Sequence, residues 1–453
     1  MESTRRSPVI PTVCAIMLAF TVVSCSPPAR VLQPTQTASP TRTPDTPSPT
    51  PCIPVYTEPA IVFKLVPVAS FVTWALADFT SDGLPDILVA RGEWRSPEDF
   101  EVDAFVNDGV GGLKHATESI FQGQVPRTQN PSRIVTADFN GDGIEDFYIS
   151  DTGDDRDPWP GYQNKLILAV PGGGLVDATQ NIPQQSDFTH SAAAADIDND
   201  GDIDIYAGNT YGGNRIPTQI LLNDGEAHFT VAQGLLPAIQ TDVSRNGYTS
   251  SLFADITGDG FADLILGPWD STEAAAALIN DGTGHFSLLP DAIPPKPNAP
   301  TDIALAMNAA DVNADGFLDL LISWTKGDPF YQGRYIQVLM NKGDATFLDE
   351  TQARLPPQSF EDTYWWYKSI DLADADEDGD LDILPWSWMD HMVYENDGAG
   401  RFKASSTLLP VPPISTYSLT DFDGDGHKDL VSVVPSDTDD SEAFSVAWRT
   451  TCE

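Results

Sequence analysis

The sequence predicts an all-β fold, a seven-bladed β-propeller of four-stranded blades. Three observations carry this. A nine-residue acidic loop recurs seven times, apolar runs rich in β-branched residues follow most copies, and short Asn-Asp-Gly turns lie between most successive loops. The loops start 60, 58, 59, 56, 63 and 47 residues apart. A period of this size in a strand-rich chain reads as one blade per copy.

Each loop opens with Asp, carries side-chain oxygens at positions one, three, five and nine, and has Gly at position six. The copies are Asp78-Thr80-Asp82-Gly83-Asp86, Asp138-Asn140-Asp142-Gly143-Asp146, Asp196-Asp198-Asp200-Gly201-Asp204, Asp255-Thr257-Asp259-Gly260-Asp263, Asp311-Asn313-Asp315-Gly316-Asp319, Asp374-Asp376-Asp378-Gly379-Asp382 and Asp421-Asp423-Asp425-Gly426-Asp429. Alternate residues of a tight loop can surround a hard cation with oxygens, and the glycine permits the turn. The pattern points to calcium, about seven ions, one per loop. Magnesium would keep more of its waters, and zinc or copper would call for His and Cys. Position seven would offer only its carbonyl, and its side chain varies: Leu84, Ile144, Asp202, Phe261, Phe317, Asp380 and His427. The alternative, a row of solvated acidic turns, does not account for seven copies in register.

These are not EF-hands, which need an acidic residue at position twelve. That position holds Val89, Ile149, Ala207, Leu266, Ile322, Pro385 and Ser432. The runs Ile87-Leu88-Val89, Phe147-Tyr148-Ile149, Leu264-Ile265-Leu266 and Leu320-Leu321-Ile322 read as buried strands. The fourth carboxylate is therefore expected from Asp at position nine, where the loop enters the strand.

Between loops lie Asn107-Asp108-Gly109, Asn223-Asp224-Gly225, Asn280-Asp281-Gly282, Asn341-Lys342-Gly343 and Asn396-Asp397-Gly398, the last four followed by Phe229, Phe286, Phe347 and Phe402. Such turns supply the positive-φ positions of a tight hairpin. The second unit has Pro171-Gly172-Gly173-Gly174 instead. Each unit thus has one strand before the loop, one after it, and two hairpin arms.

On these residues the chain resembles the FG-GAP/VCBS repeats of integrin α-subunit propellers and bacterial surface proteins, over roughly residues 55 to 453. The resemblance implies a seven-bladed ring with calcium in the loop joining the first two strands of each blade. Thr80 and Thr257 depart from the Asp/Asn norm at position three, which implies weaker sites one and four. The seventh unit ends after a strand near Phe444-Ser445-Val446-Ala447-Trp448, while a spare strand, Ile61 to Val66, precedes the first loop. That spare strand is expected to complete the seventh blade. Cys52 and Cys452 would then stand where other blades have their hairpin, and a disulfide between them would replace the missing turn. Closing a loop of this length stabilises by up to ~5 kcal/mol on chain-entropy grounds.

The chain begins with a processing segment. Arg5 and Arg6 precede an apolar stretch from Val9 to Val23, ending Val22-Val23-Ser24-Cys25. This resembles a bacterial lipobox, with residues 1–24 as signal peptide and Cys25 lipidated; an ordinary signal peptide is the alternative. Residues 25–54, rich in Pro, Thr and Ser, read as an extended stalk, and residues 55–453 as the propeller. The expected location is the cell envelope, lipid-anchored and facing outward. The anchor would be the only membrane contact. The net charge of −43 argues against a nucleic-acid partner.

Calcium loops and Asn-Asp-Gly turns share one face of the disc. Function is therefore expected across the disc, where aromatic residues gather: Trp94, Trp159, Trp269, Trp324, Trp365, Trp366, Trp386 and Trp388, with Tyr248, Arg133 and His190 in comparable places. Rigid aromatic planes suit sugars or protein loops; packing between blades is the other reading. The integrin resemblance also implies ligand recognition on the face away from calcium. None of the six His stands in a nucleophile context, and no hydrolase or phosphate-binding motif occurs. The sequence therefore favours an adhesin- or receptor-like module binding an extracellular glycan or protein. A polysaccharide-acting enzyme such as a lyase, and a structural subunit of an envelope assembly, are the alternatives.

Overall fold

The computed structural model describes residues 55–65, 71–210, 216–243, 247–269, 274–296, 302–327, 330–358, 366–387, 392–405, 409–410, 416–435 and 442–450. Seven four-stranded antiparallel sheets form the blades of a ring. Blade one comprises Phe71–Ala77, Asp86–Gly92, Asp103–Asn107 and Leu113–His115. Blades two to six repeat this order, their first strands being Pro131–Ala137, Thr189–Ala195, Tyr248–Ala254, Asp302–Ala310 and Tyr367–Ala373. Each acidic loop joins the first strand of its blade to the second. Helix is limited to single turns, such as Thr117–Ile120 and Thr351–Arg354, among the described residues.

The seventh blade closes the ring as the sequence suggests. Thr416–Thr420, Asp429–Pro435 and Glu442–Ala447 supply three strands, and Ala60–Lys64 adds the fourth, pairing antiparallel with Glu442–Ala447. Val55 and Tyr56 also pair with Thr450 and Arg449. The Thr57 N–H donates to the Trp448 carbonyl at 2.8 Å, and the Trp448 N–H to Thr57 Oγ1 at 3.0 Å. Strands from both ends of the chain thus share one sheet, so opening the ring means breaking a ladder and not merely a surface contact.

The second strands are buried on both faces, because each blade is sandwiched between two others. Ile87, Leu88, Val89, Phe147, Tyr148, Ile149, Leu264, Ile265 and Leu266 are all fully buried. The apolar side chains form one core per joint. Phe79, Leu88 and Ala90 of blade one meet Phe147, Ile149 and Ile167 of blade two. Trp74, Ile87 and Phe105 of blade one meet Phe422, Val431 and Phe444 of blade seven. First strands of successive blades lie beside one another around the axis. Arg133 of blade two reaches along this axis: its Nη1 donates to the Ser251 carbonyl of blade four at 3.4 Å.

A bulge recurs at the start of the first strand. The pairing with the second strand shifts beside Ser132, His190, Thr249, Leu305 and Lys368 in blades two to six. Such an extra residue re-aims its side chain. It lies at the end of the strand away from the acidic loop; Ser132 and Thr249 use it to bond to carbonyls of the next blade, at Thr189 and Ala304, and Leu305 is buried in a core cluster.

Candidate functional site

The seven loops share one hydrogen-bond plan. The position-one carboxylate accepts the N–H of the position-six glycine in every copy, from Gly83 to Asp78 at 2.8 Å through Gly426 to Asp421 at 3.0 Å. The position-five carboxylate accepts the N–H of position seven in every copy, as Leu84 to Asp82 at 3.0 Å and His427 to Asp425 at 2.8 Å. The glycine has φ between 87° and 99° throughout. A Cβ there would meet nothing within 4 Å, so backbone conformation and not space demands glycine.

Position two is an apolar anchor in every loop: Phe79, Phe139, Ile197, Ile256, Val312, Ala375 and Phe422 are all buried. Position nine is a buried clamp. One oxygen of Asp146 accepts the Phe139 N–H at 3.0 Å, and the other accepts the Ala169 N–H at 2.8 Å. The same two bonds, from the loop backbone and from the end of the third strand, recur at Asp86, Asp204, Asp263, Asp319, Asp382 and Asp429. Burial pushes these carboxyls up, to about 6 at Asp86, Asp263, Asp319 and Asp429, about 7 at Asp204 and Asp382, and about 8 at Asp146. The backbone donors pull the other way.

Three loops bring ligand oxygens within 4.8 Å of one another: Asp196, Asp198 and Asp204; Asp374, Asp376 and Asp382; and Asp421, Asp423 and Asp425. Position nine belongs to the first two groups, while the third is built from positions one, three and five. Oδ1 of Asp196, Asp198 and Asp421 is buried without a hydrogen-bond partner among the described residues. Orphaned buried carboxylate oxygens are costly, and a cation satisfies them. An all-oxygen donor set of this kind fits a hard divalent ion.

The hairpin asparagines do more than turn the chain. Asn280 Nδ2 donates to the Ile197 carbonyl of the preceding blade at 2.8 Å and to the Ala262 carbonyl of its own blade at 3.1 Å. Asn107, Asn223, Asn341 and Asn396 repeat both bonds. The side chain at position seven covers the hairpin glycine: Phe261 lies over Gly282 and Phe317 over Gly343. Position seven is thus a packing position as well as a backbone donor.

On the opposite face the structure brings some of the expected residues together. His190, at its bulge, meets Phe188 at 4.8 Å and Trp269 at 5.8 Å between ring centroids. Trp269 meets Tyr331 at 6.4 Å, and Tyr331 meets Trp366 at 5.1 Å. This arc crosses blades three to six. It continues towards blades one and two, where Trp94 Nε1 donates to Asp155 at 2.8 Å, and the Asp155 charge acts on His190. The Arg95 guanidinium lies 4.2 Å over the Trp94 ring. His190 Nδ1 is 2.8 Å from Thr210 Oγ1, and burial pushes its imidazole down to about 4. Tyr331 has φ of 54°, an uncommon conformation for a bulky residue.

Other expected residues lie elsewhere. Trp324, Trp386 and Tyr248 are buried between blades, Trp324 donating to Gln337 Oε1 at 3.0 Å. Arg133 reaches across from blade two to the Ser251 carbonyl of blade four, and the Asp371 carboxylate of blade six offsets its burial. Trp365, Trp388, Cys25, Cys52 and Cys452 lie outside the described residues. Phe188, Asp155 and Tyr331 were not singled out from the sequence. The signal available for Phe188 and Tyr331 is an aromatic at the edge of a first or third strand.

Repeats of the FG-GAP-like family match residues 78–149, 255–322 and 311–384. Each match begins at position one of a loop and runs into the strand after the next. No curated protein sequence matches significantly. Among solved structures, the chain is similar to an Agrocybe aegerita lectin described as specifically recognising non-reducing terminal N-acetylglucosamine, at 19% identity and a TM-score of 0.47, covering 77% of this chain and 82% of the lectin. It is also similar to an ancestral GH74 enzyme, at 10% identity and a TM-score of 0.39, covering 78% of this chain and 46% of that one. With an acidic loop in each of seven four-stranded blades, and family matches beginning at three of those loops, the chain is a seven-bladed β-propeller carrying FG-GAP-like repeats.

Proposed function

We propose that this chain is a calcium-stabilised extracellular binding module whose ligand, a glycan, docks on the face opposite the acidic loops. The observation that carries the reading is the cluster of half-buried His190, Trp269 and Trp366 around the buried Tyr331, flanked by Trp94 and Asp155. Flat aromatic faces beside fixed polar groups suit sugar rings, which present apolar C–H faces and hydroxyl edges. The left-handed backbone at Tyr331 adds weight, because such outliers gather at binding sites. The protein as secreted is screened on a glycan array in calcium, beside a Trp269→Ala/Trp366→Ala variant. The reading expects a defined set of glycans bound by the wild type and lost in the variant. No glycan bound, or equal binding by both, contradicts it; a protein ligand would appear as specific capture of a partner that the same variant abolishes.

In this reading all seven loops hold calcium, with sites one and four weakest through Thr80 and Thr257. The ion supplies charge neutralisation and a fixed loop geometry. The loop residues orient their oxygens and keep the position-one-to-six turn closed. Cys25 carries lipid, the segment to residue 54 is a stalk, and a Cys52–Cys452 disulfide fastens the seventh blade. The pairing of Val55 with Thr450 supports that last point, since Cys52 lies three residues before Val55 and Cys452 two residues after Thr450. Mass spectrometry of alkylated, unreduced protein tests it: linked cysteines are expected, and two free thiols would remove the disulfide from the account.

A further inference from the structure

Five hairpin asparagines each touch two acidic loops. In blade four, the Asn280 N–H donates to Asp263, position nine of its own loop, at 2.9 Å. Its Nδ2 donates to Ala262, position eight of that loop, and to Ile197, position two of the loop in blade three. Its Oδ1 accepts the Gly282 N–H at 3.1 Å. Every polar group of the side chain is used. Turn chemistry alone would accept Asp as readily as Asn, but only the amide supplies two donors.

The contact at position two matters because that residue lies between ligand positions one and three. Its own blade holds its N–H: Ile197 donates to Asp204 at 3.3 Å. The next blade holds its carbonyl: Asn280 donates to it at 2.8 Å. Fixing both sides of this residue fixes the Cα positions of Asp196 and Asp198, each of which has an orphaned buried oxygen and which, with Asp204, bring ligand atoms within 4.8 Å of one another. The loop of one blade is therefore completed by a side chain of the next.

Resting on the reading that the loops hold cations, we propose that each hairpin asparagine is a positioning residue for the cation site of the preceding blade, so that neighbouring sites are coupled. The pattern of contacts sets the extent of the coupling. Asn223, Asn280, Asn341 and Asn396 link loops two to six in one series. Asn107 links loop one to loop seven through the Phe422 carbonyl at 2.8 Å. Two joints lack the asparagine. Ala169 stands in its place in blade two, where Gly173 lies against Thr80 of loop one. Arg449 stands in its place in blade seven and instead pairs with Glu377, position four of loop six, at 2.5 Å. The amide links therefore form a block of five loops and a block of two.

The test is hydrogen exchange of the full chain during a calcium titration, followed separately for each loop. In Asn280→Ala no proposed ligand is altered. The calcium midpoint of loop three is expected to rise about five-fold, the loss of one buried hydrogen bond at the site, while those of loops one and seven stay put. A second comparison does not depend on the asparagine variant folding. Asp82→Asn, in loop one, is expected to shift loop seven and leave loop two unchanged. A loop-three midpoint unchanged by Asn280→Ala, or loop two shifting as much as loop seven in Asp82→Asn, overturns the proposal. Wild-type loops that gain no protection from calcium would instead overturn the reading that they hold cations.

Discussion

Asp371 of blade six and Arg133 of blade two, which belong to blades four apart around the ring, offset each other's burial. Burial pushes the Asp371 carboxyl up to about 7, and Arg133 opposes that shift. Burial pulls Arg133 down to about 10, and Asp371 opposes it. Removing one partner strands the other charge. Asp371→Asn is expected to destabilise the fold by about 2 kcal/mol, and Arg133→Met with Asp371→Leu to restore much of the loss. Urea unfolding midpoints of the three proteins check this; a neutral Asp371→Asn would show that the pair carries no weight.

The glycine at position six is held at positive φ by its bond to the position-one carboxylate. At Gly260, φ is 93° and the N–H donates to Asp255 at 2.8 Å. Because a Cβ meets no neighbour there, Gly260→Ala should fold with the same packing. Its cost, about 1–2 kcal/mol, comes from the left-handed backbone alone. Chemical denaturation at saturating calcium measures it. A loss well below this would mean that the loop relaxes to another turn.

Much of this was legible in the sequence. The spacing of Asp78, Asp138, Asp196, Asp255, Asp311, Asp374 and Asp421 marks the blades, and the spare strand before the first loop marks the closure. These are local signals repeated in register. What the sequence did not disclose are relations between blades. Asn280 looks like a turn residue until its amide is seen against Ile197, 83 residues earlier. Trp324 and Trp386 look like face residues, yet they fill the joints between blades, because a Trp near a strand end can turn inward or outward with the same local pattern. His190 reaches the face through a one-residue bulge, and a bulge leaves no mark in an alternating pattern.

His190 gives the opposite face a pH signature. Its folded value, about 4, lies below the ordinary 6.5, so the native state favours the neutral imidazole. The unfolded chain takes up the proton first as pH falls. The stability that neutral His190 provides is therefore complete above about 6.5 and lost progressively down to about 4. In saturating calcium, the wild type is expected to lose more unfolding free energy than His190→Gln between those limits. Parallel losses would show that the imidazole titrates as it does in the unfolded chain.

The most direct measurement of the account's central claim is a calcium titration of the metal-free chain, with ions counted by native mass spectrometry and melting followed by calorimetry on the same samples. The account predicts uptake of about seven ions with a large rise in melting temperature, since each loop holds clustered carboxylates that repel one another until a cation joins them. A chain that takes up no calcium, or that takes it up and melts at the same temperature as after chelation, would contradict it.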